Sequence, residues 1–230
     1  MDGCRAGWIT IALAESGTHS HLVTSTIAEV ARRHPSALVL VDIPIGLRDT
    51  ERDERRCDLE ARVLLGPRAS SVFPAPCRAA LGLTTYREAS DENHRQTGRR
   101  LSKQSFNIAP RVLDVEEYLR RSWASGPVIR EMHPEVCFWA LAGRPMIHSK
   151  RTIEGASERI AVLTRHLPSA AAIVEEVTHA HPKTALGRDD VVDALAGAVT
   201  ARLGAPGLKT LPATPERDSR NLRMEIVYAG

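Results

Sequence analysis

Four aspartates mark the positions where this chain could carry out chemistry. Asp2 stands next to the first residue, and Asp42 follows the apolar run of residues 38–41. Asp190 and Asp193 lie three residues apart in a helix-like stretch. A carboxylate at the end of a buried strand is costly unless a cation, a partner or water accompanies it. Three such positions, distant in the sequence, could converge on one divalent metal ion.

Each aspartate also has a structural interpretation. Asp2 alone would be an N-terminal acid in solvent, and Asp42 would be a turn or N-cap residue. Asp190 and Asp193 share one helix face in a first turn, where the helix dipole favours acids. The dipole explains Asp190 better than Asp193, because Asp193 is followed directly by the apolar residues 194–196.

Glu131 and His133 form a second set of candidates. Glu131 ends a short predicted strand and is a secondary candidate for metal ligation and catalysis. His133 could be a ligand, a general base or a phosphate contact, although a lone histidine is more often structural.

Arginines and hydroxyl residues between residues 47 and 127 could bind phosphate, since arginine presents a fork of donors that matches phosphate oxygens. A salt-bridged surface is the alternative. The chain has no G-x-x-x-x-G-K loop and no nucleophile elbow, which argues against a P-loop enzyme and a serine hydrolase. The candidate substrate contacts are Arg62, Arg68, Arg78, Ser70, Ser71, Lys103 and Gln104.

The composition suits a globular protein with a mild positive charge. The 230 residues are enough for one large domain or a core with an inserted subdomain. A net charge of +3 permits anionic partners without indicating strong nucleic-acid binding. No run of about 18 uncharged apolar residues occurs, so we expect no membrane span, and the start has no signal-peptide pattern. The scattered cysteines favour buried thiols in a reducing cytoplasm over a zinc knuckle.

The order of predicted elements favours an α/β fold with a mixed sheet. Residues 7–14 and 21–25 predict two antiparallel strands, and Thr26 could cap a helix that runs to residue 33. The apolar residues 38–41 are typical of a central parallel strand. Such a meander followed by a crossover implies a mixed sheet with helices packed against it. The remaining predicted elements are strands at 128–132 and 222–228 and helices at 136–142, 154–167, 174–179 and 189–202.

Residues 47–127 differ in composition from the rest of the chain. They are rich in charges and show no clear strand, which predicts a mostly helical insertion after the fourth strand. Helices are expected near residues 51–65, 84–100 and 110–123. We therefore expect a single domain over residues 1–230 that contains this insertion.

Several blocks of the sequence, in order along nearly the whole chain, resemble the domain-of-unknown-function family 429. Members of that family are regarded as RNase H-like nucleases, mostly because of their fold. Relatives carry several apolar residues before the first Asp-Gly, whereas here only Met1 precedes it. The blocks are DGCRAGW (2–8), VDIPIGL (41–47), GPRASSVF (66–73), EMHPE (131–135), KRTIEG (150–155), DDVVDAL (189–195) and RMEIVY (223–228).

The resemblance implies an RNase H-like mixed β-sheet flanked by helices. In that superfamily, acids on the first strand, the fourth strand and a late helix hold two magnesium ions. Asp2, Asp42 and the Asp190/Asp193 pair match those places. The expected function is therefore hydrolysis of nucleic acid with Mg²⁺ or Mn²⁺, with Asp2, Asp42 and Asp193 as metal ligands and Asp190 assisting.

Two alternatives remain open from the sequence. One is a non-catalytic module on the same fold that binds a nucleotide or nucleic acid. The other is an ATP-dependent phosphotransferase, which the missing phosphate loop disfavours. Nucleic acid is the expected partner, no membrane is involved, and a homodimer is compatible with these features.

Overall fold

The described residues, 1–122, 126–205 and 207–230 of a computed structural model, form a mixed α/β protein, which confirms the predicted class. The strands are β1 (Asp2–Cys4), β2 (Gly7–Leu13), β3 (His19–Thr24), β4 (Leu38–Val41), β5 (Val128–Glu131), β6 (Lys209–Arg217) and β7 (Arg223–Tyr228). The helices are α1 (Ile27–Arg33), α2 (Arg56–Leu65), α3 (Tyr86–Thr97), α4 (Lys103–Ser122), α5 (Pro134–Ala142), α6 (Ile153–His166), α7 (Ala170–Ala180) and α8 (Arg188–Gly204). Short 3₁₀ helices cover Gly66–Ser71 and Arg78–Ala80.

The chain divides into two compact units. Unit 1 comprises Met1–Asp42, Ser125–Lys209 and Val227–Gly230, and unit 2 comprises Ile43–Ala124 and Thr210–Ile226. The sequence predicted one domain with an insertion over residues 47–127, and that organisation stays a prediction.

In unit 1 the strands follow the predicted order. β1, β2 and β3 pair antiparallel, and β4 pairs parallel with β5, with Val41 opposite Glu131. Two backbone hydrogen bonds at Met1 join the antiparallel strands to the parallel pair. The Met1 nitrogen donates to the Leu40 oxygen (2.8 Å), and the Asp42 N–H donates to the Met1 oxygen (3.1 Å). The sheet of β1, β2 and β3 and the sheet of β4 and β5 are therefore linked at Met1.

The central helix of unit 1 is α8. Residues 191–200 of this helix are all buried, and they pack on β2, β1 and β4 and against α5, α6 and α7. Its small residues permit this packing, and Gly197 faces the strands, where an added Cβ would lie 3.6 Å from the Met1 nitrogen and 3.7 Å from the Leu40 oxygen. The burial of an entire helix surface explains why the sequence there is apolar on every side after the first turn.

Unit 2 is mostly helical, as the sequence predicted for its larger segment. The guanidinium of Arg78 sits among the carboxylates of Asp49, Glu116 and Asp218. A backbone contact adds to this network, because Leu47 donates its N–H to Asp218 (3.0 Å). Arg78 thereby connects three parts of unit 2, and its predicted contact with phosphate stays a prediction.

Several helices have boundaries that differ from the prediction, and one strand was missed. α4 was expected near residues 110–123 but begins at Lys103 and continues through Pro110; residue 123 lies outside the described part of the chain. The strand β6 was not predicted. Its sequence contains Pro212 and Pro215, which cannot donate to a ladder and are typical of edge strands or loops.

The four cysteines, Cys4, Cys57, Cys77 and Cys137, are free and buried, as predicted. Within the described ranges, no helix combines the length and the apolar character needed to cross a bilayer.

Candidate active site

The first two aspartates are positioned by neighbouring strands. Asp2 opens β1 and is only 8% exposed, whereas Asp42 directly follows β4 and is half-buried. The hydrogen bond from Asp42 to the Met1 oxygen ties the two backbones together one residue before Asp2. Both positions agree with the predicted first and fourth strands.

The other two aspartates lie in the first turns of α8. Asp193 is buried, with 1% of its surface exposed, and it precedes the close contact at Gly197 by about one turn. Asp190 is half-buried, and its carboxylate accepts a hydrogen bond from the N–H of Gly187 (2.9 Å). Asp190 is therefore explained as an acid that stabilises the start of α8. That explanation does not apply to Asp193.

Asp2, Asp42, Asp190 and Asp193, here called the acid group, act on one another electrostatically. Burial raises the pKa of Asp2 well above its usual range, and the negative charges of Asp42, Asp193 and Asp190 raise it further. The pKa of Asp193 is raised to about 6 by burial, and Asp42 and Glu135 add to this effect. Charges that act on one another in this way lie near one another, and the metal site predicted from these residues stays a prediction.

Lys150 is the cation of this group. Its Nζ donates to Oδ2 of Asp193 at 2.5 Å, and its side chain is 42% exposed while that of Asp193 is 2% exposed. Burial works against the charge on Lys150, but the carboxylates of Asp193, Asp2 and Asp42 outweigh it and raise the lysine pKa. Lys150 lies in the KRTIEG block, but the sequence alone predicts no role for it, because its partner is 43 residues away along the chain.

The loop that carries Lys150 is held firmly by α6. The carboxylate of Glu158 accepts hydrogen bonds from the N–H groups of Ile147 and His148 at 2.9–3.0 Å. Thr152 caps α6 by accepting from the Gly155 N–H (3.1 Å) and also donates to the Ser149 oxygen (3.1 Å). These bonds fix the backbone on both sides of Lys150.

A buried ion pair supports the same loop. Arg159 is 1% exposed and donates to Glu135 through Nη2 and to the backbone oxygens of His148 (3.1 Å) and Gly155 (2.9 Å) through Nη1. Its guanidinium also lies over the Phe138 ring, 5.5 Å from the centroid. Arg159 therefore links α5, α6 and the loop before α6, although it is itself not part of the acid group.

The acid group suits a divalent metal by its donor chemistry. Carboxylate oxygens are the ligands that Mg²⁺ and Mn²⁺ prefer, and a cation would relieve the repulsion that raises the pKa of Asp2. Among the described residues, however, no three His, Cys, Asp or Glu side chains are arranged so that they could hold a metal ion as they stand. At Asp193 the positive charge comes from Lys150. The metal role of Asp2, Asp42 and Asp193 stays a prediction.

Glu131 and His133 lie where β5 leads into α5. Glu131 is 4% exposed and pairs with Val41, the residue before Asp42, so it is on the strand next to β4. His133 is half-buried and occupies the N-cap position of α5, without a side-chain capping bond. The neighbouring strand brings Glu131 close to the chain at Asp42, and its role and that of His133 stay predictions.

The predicted substrate contacts Arg62, Arg68, Ser70 and Lys103 belong to unit 2, whereas the acid group belongs to unit 1. Arg62 donates to the Val72 oxygen (2.7 Å) and to Glu54 (2.6 Å), contacts that a phosphate would have to displace. Ser70 and Lys103 are exposed, and Arg68 is half-buried on the first 3₁₀ helix. Their role in holding substrate stays a prediction.

Comparison with known proteins identifies a family but no activity. Residues 1–217 match the family model described as "Protein of unknown function (DUF429)". No curated protein and no solved structure matches the chain.

Proposed function

The chain belongs to the DUF429 family, and we propose that it is a metal-dependent nuclease of RNase H-like fold. In this proposal Asp2, Asp42 and Asp193 hold Mg²⁺ or Mn²⁺, and Asp190 and Glu131 assist. The substrate is a phosphodiester of nucleic acid. The reduced state of the buried thiols supports a cytoplasmic location for this activity.

One observation carries the proposal. Burial raises the pKa of Asp2 on the first strand and of Asp193 on the late helix α8, and the charge of Asp42, after the fourth strand, raises both further. These are the places at which the RNase H-like superfamily carries its acids. Structural ion pairs also shift pKa values. An ion pair needs only one acid for its lysine, however, whereas here several acids from distant elements surround Lys150.

Each part of the site has a proposed task. A bound divalent ion would activate water and stabilise the leaving oxygen in an in-line displacement. The carboxylates of Asp2 and Asp42 would hold that ion, and Asp193 would join them once Lys150 has moved away. Burial of Asp2 and Asp193 keeps the local dielectric low, which strengthens every charge interaction there.

A binding module without catalysis is the second candidate, and the Lys150–Asp193 pair favours it. This pair already neutralises one acid of the group at 2.5 Å. A module would keep the acidic group as a structural feature and bind a nucleotide or nucleic acid without hydrolysis.

The substitution Asp42→Asn separates the two candidates. Asn keeps the size of the side chain and removes its charge, so we expect cleavage of a mixed DNA and RNA oligonucleotide panel with Mg²⁺ or Mn²⁺ to fall to the uncatalysed background. The thermal unfolding midpoint should not fall, because the repulsion on Asp2 decreases.

The matched control is Asp53→Asn, an exposed aspartate of unit 2. It should leave cleavage at the wild-type level. Equal metal-dependent cleavage by Asp42→Asn and the wild type would reject the assignment of the acids, and wild-type binding without any cleavage would favour the module.

A further inference from the structure

A cleft beside the Lys150–Asp193 pair has no role in the reaction described so far. Its volume is about 470 Å³, which is within the range of small-ligand pockets. It lies entirely in unit 1, between the start of α6 with its preceding loop and the start of α8. Its lining includes Lys150, Arg151, Ile153, Arg188, Asp189 and Asp193.

The cations of this cleft suit a phosphate. The exposed Arg151 has no carboxylate partner in the described part of the chain. Arg188 pairs with Glu175 in a half-exposed ion pair, which is weak and easily exchanged. The Lys150 side chain is 42% exposed although its ammonium contacts Asp193, and it lines the cleft.

Apolar side chains occupy the same cleft. Ile153 is 83% exposed there, and Ala156, Ile160 and Val192 contribute to the wall. A ligand with an apolar ring or sugar face beside a phosphate would use both kinds of surface. A nucleotide unit of a nucleic-acid strand has this chemistry.

We propose that this cleft binds a phosphate of the nucleic-acid substrate and that Lys150 is shared between that phosphate and Asp193. This inference rests on the nuclease proposed above and gives it a positioning residue. In the free protein the Lys150 ammonium pairs with the Asp193 carboxylate. When a phosphate enters the cleft, the ammonium turns to the phosphate, and Asp193 is free to act with Asp2 and Asp42.

The hydrogen bonds that fix the loop around Lys150 favour a role in phosphate binding over that of an incidental surface lysine. Glu158, Thr152 and Arg159 all bond the backbone between residues 147 and 155. At Gly155, an added Cβ would overlap with the Ser149 carbonyl oxygen, so the helix and the loop touch backbone to backbone. A fixed backbone leaves the flexible lysine side chain as the part that moves.

Binding without metal tests the proposal directly. The probe is a fluorescently labelled single-stranded oligonucleotide of mixed sequence, measured by anisotropy in EDTA at about 50 mM salt, where phosphate contacts are strong. We expect Lys150→Met to weaken binding about 5- to 10-fold and to reduce the salt slope by about one. Lys150→Arg should restore most of the affinity because it keeps the charge and the donors.

Two further variants show whether a folding defect, and not the lost charge, weakens binding in Lys150→Met. Arg151→Ala changes only an exposed side chain of the cleft and should also weaken binding. Lys183→Met removes an exposed lysine outside the cleft lining and should leave binding unchanged.

A double-substitution cycle tests whether Lys150 is shared. Asp193→Asn releases Lys150 and should tighten metal-free binding, and Lys150→Met in the same chain should cancel that gain. Asp42→Asn removes a carboxylate from the same group without releasing Lys150, so it should tighten binding less.

The outcomes separate this inference from the proposed nuclease. Unchanged binding by Lys150→Met and Arg151→Ala, no binding by the wild type, or a gain in Asp193→Asn that survives Lys150→Met would each overturn the inference. If the variants behave as expected but the wild type never cleaves with Mg²⁺ or Mn²⁺, the phosphate cleft stands and the nuclease proposal fails.

Discussion

At the scale of residues, the acid group holds more negative charge than its one lysine balances. Asp2 and Asp193 are both buried, and Asp42 and Asp190 lie near enough to raise the pKa of Asp2. Lys150 opposes these shifts without cancelling them. The group therefore gains free energy from a proton or an added cation, and this property should be visible in the stability of the protein.

The dependence of stability on pH is the first consequence. The pKa of Asp193 is raised to about 6 in the folded chain, against about 3.9 for an unfolded aspartate. Between these values the folded state binds more protons, so the stability from this group is full below about pH 4 and is lost as the pH rises through about 6. In EDTA, we expect Asp193→Asn to match the wild type at about pH 4 and to be about 1–3 kcal/mol more stable at about pH 7.5.

Urea unfolding curves of both proteins across this pH range would measure the difference. The freed Lys150 adds little cost in the variant, because it is partly exposed and can reach solvent. A variant that is less stable than the wild type at about pH 7.5 would mean that the Lys150 pair outweighs the burial of Asp193.

Arg159 has the opposite character, because its charge is buried and directly paired with a carboxylate. Its guanidinium bonds Glu135 and two backbone oxygens. Arg159→Met would leave Glu135 buried without a cation, and we expect a loss of about 3–5 kcal/mol in the free energy of unfolding. Arg165→Met, on the exposed side of the same helix, should change it by less than about 0.5 kcal/mol. Equal urea midpoints for the two variants would contradict the structural role of the Arg159 pair.

At the scale of elements, local patterns predicted most of unit 1. The apolar run of β4 and the acids at the start of α8 are signals that a few consecutive residues carry, and both elements appear where expected. β6 was missed because its prolines and alternating polar residues are typical of a loop, and only its partner β7 makes it a strand. Lys150 was missed because a loop has no periodicity, and its importance comes from contacts made after folding.

The junction of α6 with the preceding loop depends on one glycine. Alanine at Gly155 would gain up to about 1 kcal/mol of helix propensity, but its Cβ would overlap with the backbone oxygen of Ser149. Since a backbone atom cannot yield as a side-chain end can, we expect Gly155→Ala to destabilise the protein by about 2 kcal/mol or more. Gly82→Ala is the matched control, since no atom lies within 4 Å of its added Cβ.

Thermal and urea unfolding of the two variants would test this expectation. Gly155→Ala should also weaken metal-free oligonucleotide binding, because the loop that carries Lys150 would shift. A Gly155→Ala protein as stable as Gly82→Ala would show that the loop and helix are not in firm contact.

At the scale of the whole molecule, charge limits how this protein can hold nucleic acid. The net charge is only +3, with 31 basic and 28 acidic residues. Many arginines of unit 2 are engaged with carboxylates, among them Arg55, Arg62, Arg78, Arg95 and Arg100. With so small a net charge and so many arginines paired, the number of phosphates contacted should be small.

The salt dependence of binding measures that number. For two or three phosphate contacts on a single strand, affinity should fall about 7- to 20-fold between about 50 and 200 mM salt, whereas six to ten contacts would give about 300- to 16,000-fold. We expect the shallow dependence for wild-type protein in EDTA, measured by anisotropy at several salt concentrations, and a shallower one still for Lys150→Met. A steep dependence would mean that the arginines of unit 2 leave their carboxylates for the substrate, which would give Arg62 and Arg68 the phosphate-binding role predicted from the sequence.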